Sequence, residues 1–172
     1  MAPGGCCMRS SLTRQELDLI EAFRSRVETL AGTRLGLPQL ERHDRPDHWV
    51  MASRWPMDRH WWLELAVRPT VPQIRVTVVT DDPMRSLDAE VMISESSLTL
   101  REFISLGFHD AGLAWPEPPV EHYRENAERF CFATPLDLAS LDELCGEAMR
   151  EKVLKMLDGY HRCFTGRVVG SR

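Results

Sequence analysis

The stretch between residues 48 and 93 constrains the fold most strongly, because apolar and polar residues alternate along four separate runs within it. Alternation with a period of two is typical of a β-strand that has one buried face. The runs cover residues 48–54, 60–68, 73–80 and 87–93, and segments containing proline and aspartate lie between them. Such segments favour turns, so the pattern predicts an antiparallel sheet in which consecutive runs are neighbours.

The alternation also predicts which side chains share a face of the sheet. We expect Arg54 to lie opposite His60 and Arg68 to lie opposite Gln73. This register collects one set of apolar residues on a core face, namely Trp49, Met51, Trp61, Leu63, Leu65, Val67, Ile74, Val76 and Val78. The opposite face is half polar. An antiparallel sheet with this pattern is typically covered by helices on its apolar face.

Three helix starts carry a Ser or Thr followed three residues later by Glu, which is the pattern of a capping box. They lie at Thr13, Thr99 and Ser140, and Gly32 and Gly112 mark the expected ends of the first two helices. Apolar residues recur every three or four positions after each start, as on one face of a helix. The third pattern is the most extended and predicts the longest helix.

These elements predict an α+β fold. A fifth strand is expected over residues 129–134, where Phe130 and Phe132 alternate with small side chains. The predicted architecture is an antiparallel sheet of about five strands with an N-terminal helix, a middle crossover helix and a long C-terminal helix. The helices are expected mainly on one face of the sheet.

The two ends of the chain lack these patterns. We expect a disordered tail at residues 1–11 and a mobile tail at residues 166–172, around a single domain at residues 12–165. Met8 is an alternative to Met1 as the true start of the chain.

Composition excludes several classes of function. The net charge of −5 argues against nucleic-acid binding, which needs clustered positive charge to displace phosphate counterions. No run is long and apolar enough to span a membrane, and the first residues lack the apolar segment of a signal peptide, so we expect a cytoplasmic protein. The five cysteines lack the paired spacing of a zinc site or disulfide framework. Cys131, Cys145 and Cys163 are expected to act as small buried hydrophobes.

The sequence gives only weak indications of catalytic or metal-binding residues. Residues 42–48 contain two histidines and two aspartates, but two arginines among them would repel a cation and favour a solvated loop. His60 with Glu64, and His109 with Asp110, are the acid–base pairs that folding could assemble. No nucleophile motif or glycine-rich phosphate loop accompanies them. We therefore predict no catalytic residue, no cofactor, no metal and no enzymatic activity.

Trp62 is the least ordinary residue of the predicted sheet. The register places it on the half-polar face next to Ala52 and Val79, with Val50 nearby. A large aromatic side chain in that position is suited to a contact patch for another protein. The alternative is that the second helix or the proline-rich segment after it covers Trp62.

The order of elements resembles that of the class I type III secretion chaperones and related secretion-chaperone-like domains. The most similar segment runs from Phe130 to Leu138 and continues into the last helix through Tyr160. The resemblance implies a homodimer that wraps an extended stretch of a partner protein over apolar patches, with no catalysis and no cofactor. That family has three strands before the middle helix and two after it, whereas this sequence indicates four and one, because residues 122–128 are strongly polar.

Two hypotheses follow. The first is a non-enzymatic protein-binding module, dimeric and chaperone-like, that holds an extended segment of a partner through Trp62, Val79, Ala52 and Val50. The alternative is a small-molecule-binding domain or enzyme that uses the concave face of the sheet. The alternative requires a deep pocket with converging polar groups.

Overall fold

The structure, a computed structural model, describes residues 11–165. The helices are α1 (Arg14–Leu35), α2 (Pro83–Glu95), α3 (Leu100–Asp110) and α4 (Glu147–Phe164), with a short 3-10 helix at Leu141–Cys145. The strands are β1 (Glu41–Asp44), β2 (Met51–Pro56), β3 (Trp61–Arg68), β4 (Gln73–Thr80), β5 (Glu121–Glu125) and β6 (Arg129–Asp137). Apart from Ser11, the predicted tails, including Cys6, Cys7 and Met8, lie outside the described residues.

The strands form one antiparallel sheet in the order β1-β2-β3-β4-β6-β5. This confirms the predicted α+β class, with six strands instead of about five. Arg68 pairs with Gln73 as expected, but Arg54 pairs with Glu64 and not with His60. The shift arises because β2 continues through Trp55 and shortens the turn. Since the shift is even, each side chain of β2 keeps its predicted face.

The helices pack on one face of the sheet, which we call the covered face. The predicted apolar residues of β3 and β4 are all buried there against side chains of α1, α3 and α4. Trp49 is an exception, because it lies in the turn before β2 and is 49% exposed. The sequence pattern places Trp55 in a turn, but it belongs to β2 and is buried in the core. No helix within residues 11–165 is long and apolar enough to cross a membrane.

The predicted strand over residues 87–93 is wrong, because this segment belongs to α2. Asp82 caps the helix by accepting a hydrogen bond from the Met84 N–H at 2.9 Å, and Pro83 occupies the first turn. Proline is favoured there because N–H groups in the first turn have no hydrogen-bond partner within the helix, so the N–H that proline lacks is not needed. The buried residues of α2 are Ser86, Ala89 and Ile93, which follow helical spacing.

The predicted helix bounds are partly corrected, because α1 continues past Gly32 to Leu35 and ends at Gly36. The boxes at Thr13 and Thr99 form in both directions, with the threonine hydroxyl accepting from the N–H of the glutamate and the glutamate accepting in return. Ser140 makes no side-chain cap, so a 3-10 turn with an exposed Cys145 precedes α4. With 22 residues, α1 is longer than α4, which has 18. The polar segment after α3 forms the edge strand β5.

Candidate functional site

The face of the sheet opposite the helices, which we call the open face, holds a cleft of about 440 Å³. Five arginines line this cleft: Arg45, Arg54, Arg68, Arg75 and Arg129. Its walls include side chains of Asp44, Glu64, Thr77, Tyr123, Glu125 and Cys131, together with residues of the turn between β1 and β2. Those from β2 to β6 come from alternate positions, because every second residue of a strand points away from the covered face.

The floor of the cleft is made of small side chains. Ala52 of β2 pairs directly with Ala66 of β3, and Ala66 pairs with Arg75 of β4. Two adjacent alanines leave free volume above the sheet, where longer side chains at these positions would fill it. The cleft lies above this pair of alanines, with Arg75 beside them in the same row and Arg54 and Arg68 in the rows on either side.

An ion pair spans the mouth of the cleft. Arg45 follows β1 at one edge of the sheet, and Glu125 ends β5 at the other edge, yet Arg45 Nη2 lies 3.7 Å from Glu125 Oε1. The two residues sit at diagonally opposite corners. The right-handed twist of the strands accumulates over six strands and brings such corners toward each other. Curvature of the sheet thus closes part of the open face.

Four of the cleft side chains form a charged cluster. The Glu64 carboxylate is 7% exposed and accepts hydrogen bonds from Arg54 Nε and from Arg129 Nη2, the latter at 2.9 Å. Arg129 Nη1 donates to Glu125 at 2.7 Å. Partly buried charge pairs of this kind hold their side chains in fixed positions. Arg54 and Arg129 are therefore engaged by carboxylates of the protein itself.

The arginines at the other end of the cleft are engaged differently. Arg75 donates from Nε to Gln73 and from Nη1 to the Tyr123 hydroxyl at 2.9 Å, and its Nη2 forms an ion pair with Glu121 at 3.2 Å. Arg68 donates from Nη1 to Gln73 at 3.0 Å, and this is its one hydrogen bond to a described residue. Arg68 thus keeps donors that the rest of residues 11–165 does not use.

Desolvation keeps two ionisable groups of the cleft neutral. It raises the pKa of Tyr123 to about 12 and the pKa of the Cys131 thiol to about 11. Arg75 and Arg129 oppose these shifts but do not cancel them. Because the thiolate is the nucleophilic form of cysteine, we expect the buried Cys131 to be a poor nucleophile at neutral pH.

The four residues predicted to bind protein separate into two places on the open face. Val50 and Ala52 line the cleft. Trp62 pairs with Pro56 and Val79, so it lies beside Val79 as expected but not beside Ala52. Val79 and Ala52 are buried, while Trp62 and Val50 are partly exposed.

Cations, and not a helix, flank Trp62. The guanidinium carbons of Arg54 and Arg129 lie 5.8 Å and 5.9 Å from its ring centroid. Both distances are within the range of cation–π attraction.

The acid–base candidates from the sequence do not assemble into a site. His60 Nδ1 lies 2.8 Å from Asp81, and Glu64 is bound to arginines instead. His109 and Asp110 are mostly exposed neighbours at the end of α3. In the part of the chain that the structure describes, no three His, Cys, Asp or Glu side chains form a group suited to a metal ion.

The pattern of the sequence did not reveal a serine, a histidine and a carboxylate that meet on the covered side. Ser86 Oγ lies 3.3 Å from His122 Nε2, and His122 Nδ1 lies 3.6 Å from Glu90. A catalytic nucleophile must reach its substrate, and Ser86 is only 1% exposed. Desolvation lowers the pKa of His122, with Glu90 opposing. The array joins α2 to β5 and gives no access to a reacting molecule.

A second surface feature lies on α2. Met84, Leu87 and Val91 are 58%, 48% and 46% exposed, and their spacing of three and four residues places them on one face of the helix. We call them the α2 stripe. The sequence prediction missed this stripe because it assigned the segment to a strand.

Comparison with protein-family models, with curated proteins and with solved structures returns no match. The geometry of the described residues is therefore the basis for inferring a function.

Proposed function

We propose that this protein is a non-enzymatic protein-binding module that acts as a homodimer and holds an extended segment of a partner protein. The observation that carries the proposal is the α2 stripe of Met84, Leu87 and Val91. Exposed apolar side chains that are contiguous on one helix face mark contact surfaces, because covering them releases water.

A second copy of the chain fits the α2 stripe. In a twofold-symmetric contact the same patch meets itself, so the patch must be self-complementary. Leu87 lies near the middle of the stripe, three residues after Met84 and four before Val91. Antiparallel packing of two α2 helices about Leu87 would place Met84 of each copy against Val91 of the other.

The edge strand β1 is suited to an extended partner segment. All four of its residues are exposed, and it ends the sheet on the side opposite β5. Exposed Leu40 and Trp49, at 41% and 49%, lie just before β1 and just before β2. A peptide added to such an edge gains main-chain hydrogen bonds, and apolar side chains near it would add specificity.

The resemblance to secretion chaperones supports the same function. In that family three strands precede the middle helix and two follow it, whereas here four strands precede α3 and β5 and β6 follow it. The family expectation of a homodimer without catalysis or cofactor agrees with the proposal.

Analytical ultracentrifugation of wild type and two matched variants tests the dimer. Leu87→Glu places a charge in the α2 stripe, and Leu106→Glu places the same charge at a leucine of α3 that is equally exposed, at 48%. We expect wild type and Leu106→Glu to sediment as dimers and Leu87→Glu as a monomer. A monomeric wild type, or equal dissociation of both variants, would contradict the proposal.

Hydrogen exchange on a purified complex tests the partner segment. The tagged protein is used to isolate its stoichiometric partner from its native cells, and amide exchange is then compared with the free protein. We expect new protection at residues 41–44, and weaker capture by Trp49→Ser, because Trp49 lies beside that edge. Protection confined to other elements would contradict binding at β1.

A further inference from the structure

The cleft on the open face carries more positive charge than its own carboxylates neutralise. Four of its five arginines pair with carboxylates, those of Glu64, Glu121 and Glu125, and one further carboxylate at the cleft, that of Asp44, pairs with the buried Arg24. Two positive charges remain in excess among these residues. The chain as a whole carries −5, so the excess is a local property of this concave surface. Such a surface concentrates small anions.

Arg68 is the cleft arginine with most capacity for a ligand. Within residues 11–165 it pairs with no carboxylate, and its Nε and Nη2 have no hydrogen-bond partner. These two nitrogens lie on one edge of the guanidinium and match two oxygens of a carboxylate or phosphate. Arg75 differs, because each of its three nitrogens already donates to a protein side chain or pairs with one.

We propose that the cleft binds a small organic anion whose carboxylate or phosphate group pairs with Arg68 and whose carbon skeleton lies on the Ala52–Ala66 floor. The volume of about 440 Å³ is that of a small-molecule pocket. An extended polypeptide fits poorly, because it would have to pass beneath the Arg45–Glu125 pair across the mouth.

This site deepens the small-molecule alternative expected for the concave face, and it is independent of the proposed dimer. The α2 stripe contributes none of the residues that line the cleft, whereas His43 and Asp44 of β1, and Trp49, line it. Loss of anion binding would therefore leave the dimer result unchanged, and a monomeric protein would leave the anion result unchanged.

Nuclear magnetic resonance of the arginine side chains tests the inference. Malonate, neutral malonamide of the same shape, and inorganic phosphate are titrated separately into the ¹⁵N-labelled full chain at low ionic strength, where charge pairing is least screened. We expect saturable shifts of the Arg68 Nε–Hε resonance with malonate or phosphate and none with malonamide. Stronger binding of one anion identifies the ligand group as carboxylate or as phosphate.

Two arginine variants separate a site from non-specific attraction. Arg68→Ala removes the proposed anchor, and Arg101→Ala removes the same charge from an exposed position on α3. We expect Arg68→Ala to weaken anion binding at least tenfold and Arg101→Ala to leave it within twofold of wild type. Ala66→Leu should weaken binding similarly without a change of charge, because it fills the floor.

Any one of three results would overturn the inference. They are equal anion binding by Arg68→Ala and Arg101→Ala, equal binding of malonate and malonamide by the wild type, and no saturable binding of malonate or phosphate. If Ala66→Leu does not fold, the comparison of Arg68→Ala with Arg101→Ala still decides whether Arg68 anchors the anion.

Discussion

Trp61 and Trp62 are consecutive in β3, yet they lie on opposite faces of the sheet and in opposite chemical surroundings. Trp61 is 1% exposed, and its ring lies 5.8 Å from that of Phe164 in the core. Trp62 is partly exposed between the guanidinium groups of Arg54 and Arg129. Apolar packing with the helices stabilises the covered face, whereas ion pairs and cation–π contacts organise the open face around a cavity.

The same division recurs at the edge of the sheet. His122 and Tyr123 are consecutive in β5, and the His122 ring stacks on Phe132 of the covered face at 4.1 Å. Tyr123 faces the cleft and accepts a hydrogen bond from Arg75. The two faces therefore have different roles. Side chains on the covered face stabilise the fold, and the open face carries hydrogen-bond donors of Arg68, at Nε and Nη2, that no described residue accepts.

The largest expected effect is the difference between the two tryptophans. Trp61→Ala should lower the free energy of unfolding by about 3–5 kcal/mol, because it leaves a cavity in a close-packed core. Trp62→Ala should cost about 1–2 kcal/mol, because it removes two cation–π contacts and partly exposed area. Urea unfolding followed by circular dichroism at one protein concentration measures both. Equal losses would show that the open face contributes as much stability as the core.

A second pair of variants tests how closely the helices of the covered face pack. A methyl group at Gly107 of α3 would lie 2.2 Å from the Cys163 sulfur and 2.6 Å from the Gly159 carbonyl oxygen of α4. Gly107→Ala should therefore destabilise the fold by about 1–3 kcal/mol through overpacking.

Gly32→Ala is the matched control for Gly107→Ala. Gly32 lies in α1, and nothing lies within 4 Å of the added methyl group. This variant should stabilise the protein by about 0.5–1 kcal/mol, because alanine has less freedom than glycine in the unfolded chain. Thermal unfolding measures whether each substitution raises or lowers stability. A Gly107→Ala variant as stable as the wild type would contradict close contact of α3 with α4.

The parts of the fold that the sequence predicts well depend on local patterns. Alternation in β3 and β4 predicts the core-face side chains, and the capping boxes at Thr13 and Thr99 locate two helix starts. The Asp82–Pro83 pair suits either a turn or the first turn of a helix, so local chemistry does not separate a strand from α2. A short apolar run carries the same ambiguity.

The cleft depends on features that a local pattern does not contain. Glu121 and Glu125 make β5 look like a loop, but across the sheet their charges meet Arg75 and Arg129. The Arg45–Glu125 pair joins residues 80 positions apart and depends on the accumulated twist of six strands. The sequence could thus place Trp62 on the half-polar face without predicting that this face is concave.

The alkaline half of the pH profile should report on the open face through Cys131 and Tyr123, and on the core through Tyr160, whose pKa burial also raises and which both variants below retain. Burial raises the pKa of Cys131 from 9.0 to about 11 and that of Tyr123 from 10.0 to about 12. Between pH 9 and pH 12 the unfolded chain therefore loses these protons first, and stability falls as pH rises. Urea unfolding of Cys131→Ala and Tyr123→Phe across this range should show a shallower fall than wild type. An unchanged slope would mean that the cleft is more hydrated than its geometry indicates.

The acid half should report on the covered face through two partly buried histidines, His122 of β5 and His161 of α4, and we expect the smallest effect there. Desolvation lowers the pKa of each below the ordinary 6.5, so stability is complete above that pH and falls as pH decreases below it, where the unfolded chain binds the protons first. His122→Phe should flatten this fall, because a phenyl ring keeps the stacking on Phe132 and cannot ionise. This variant also loses the hydrogen bond to Ser86, which would lower the free energy of unfolding by the same amount at every pH and would not change the slope. Tyr123→Phe is the control, since it should change the alkaline slope and leave the acid slope as in wild type. If both variants changed the same half of the profile, the two faces would not be electrostatically separate, and the division between them would be one of packing alone.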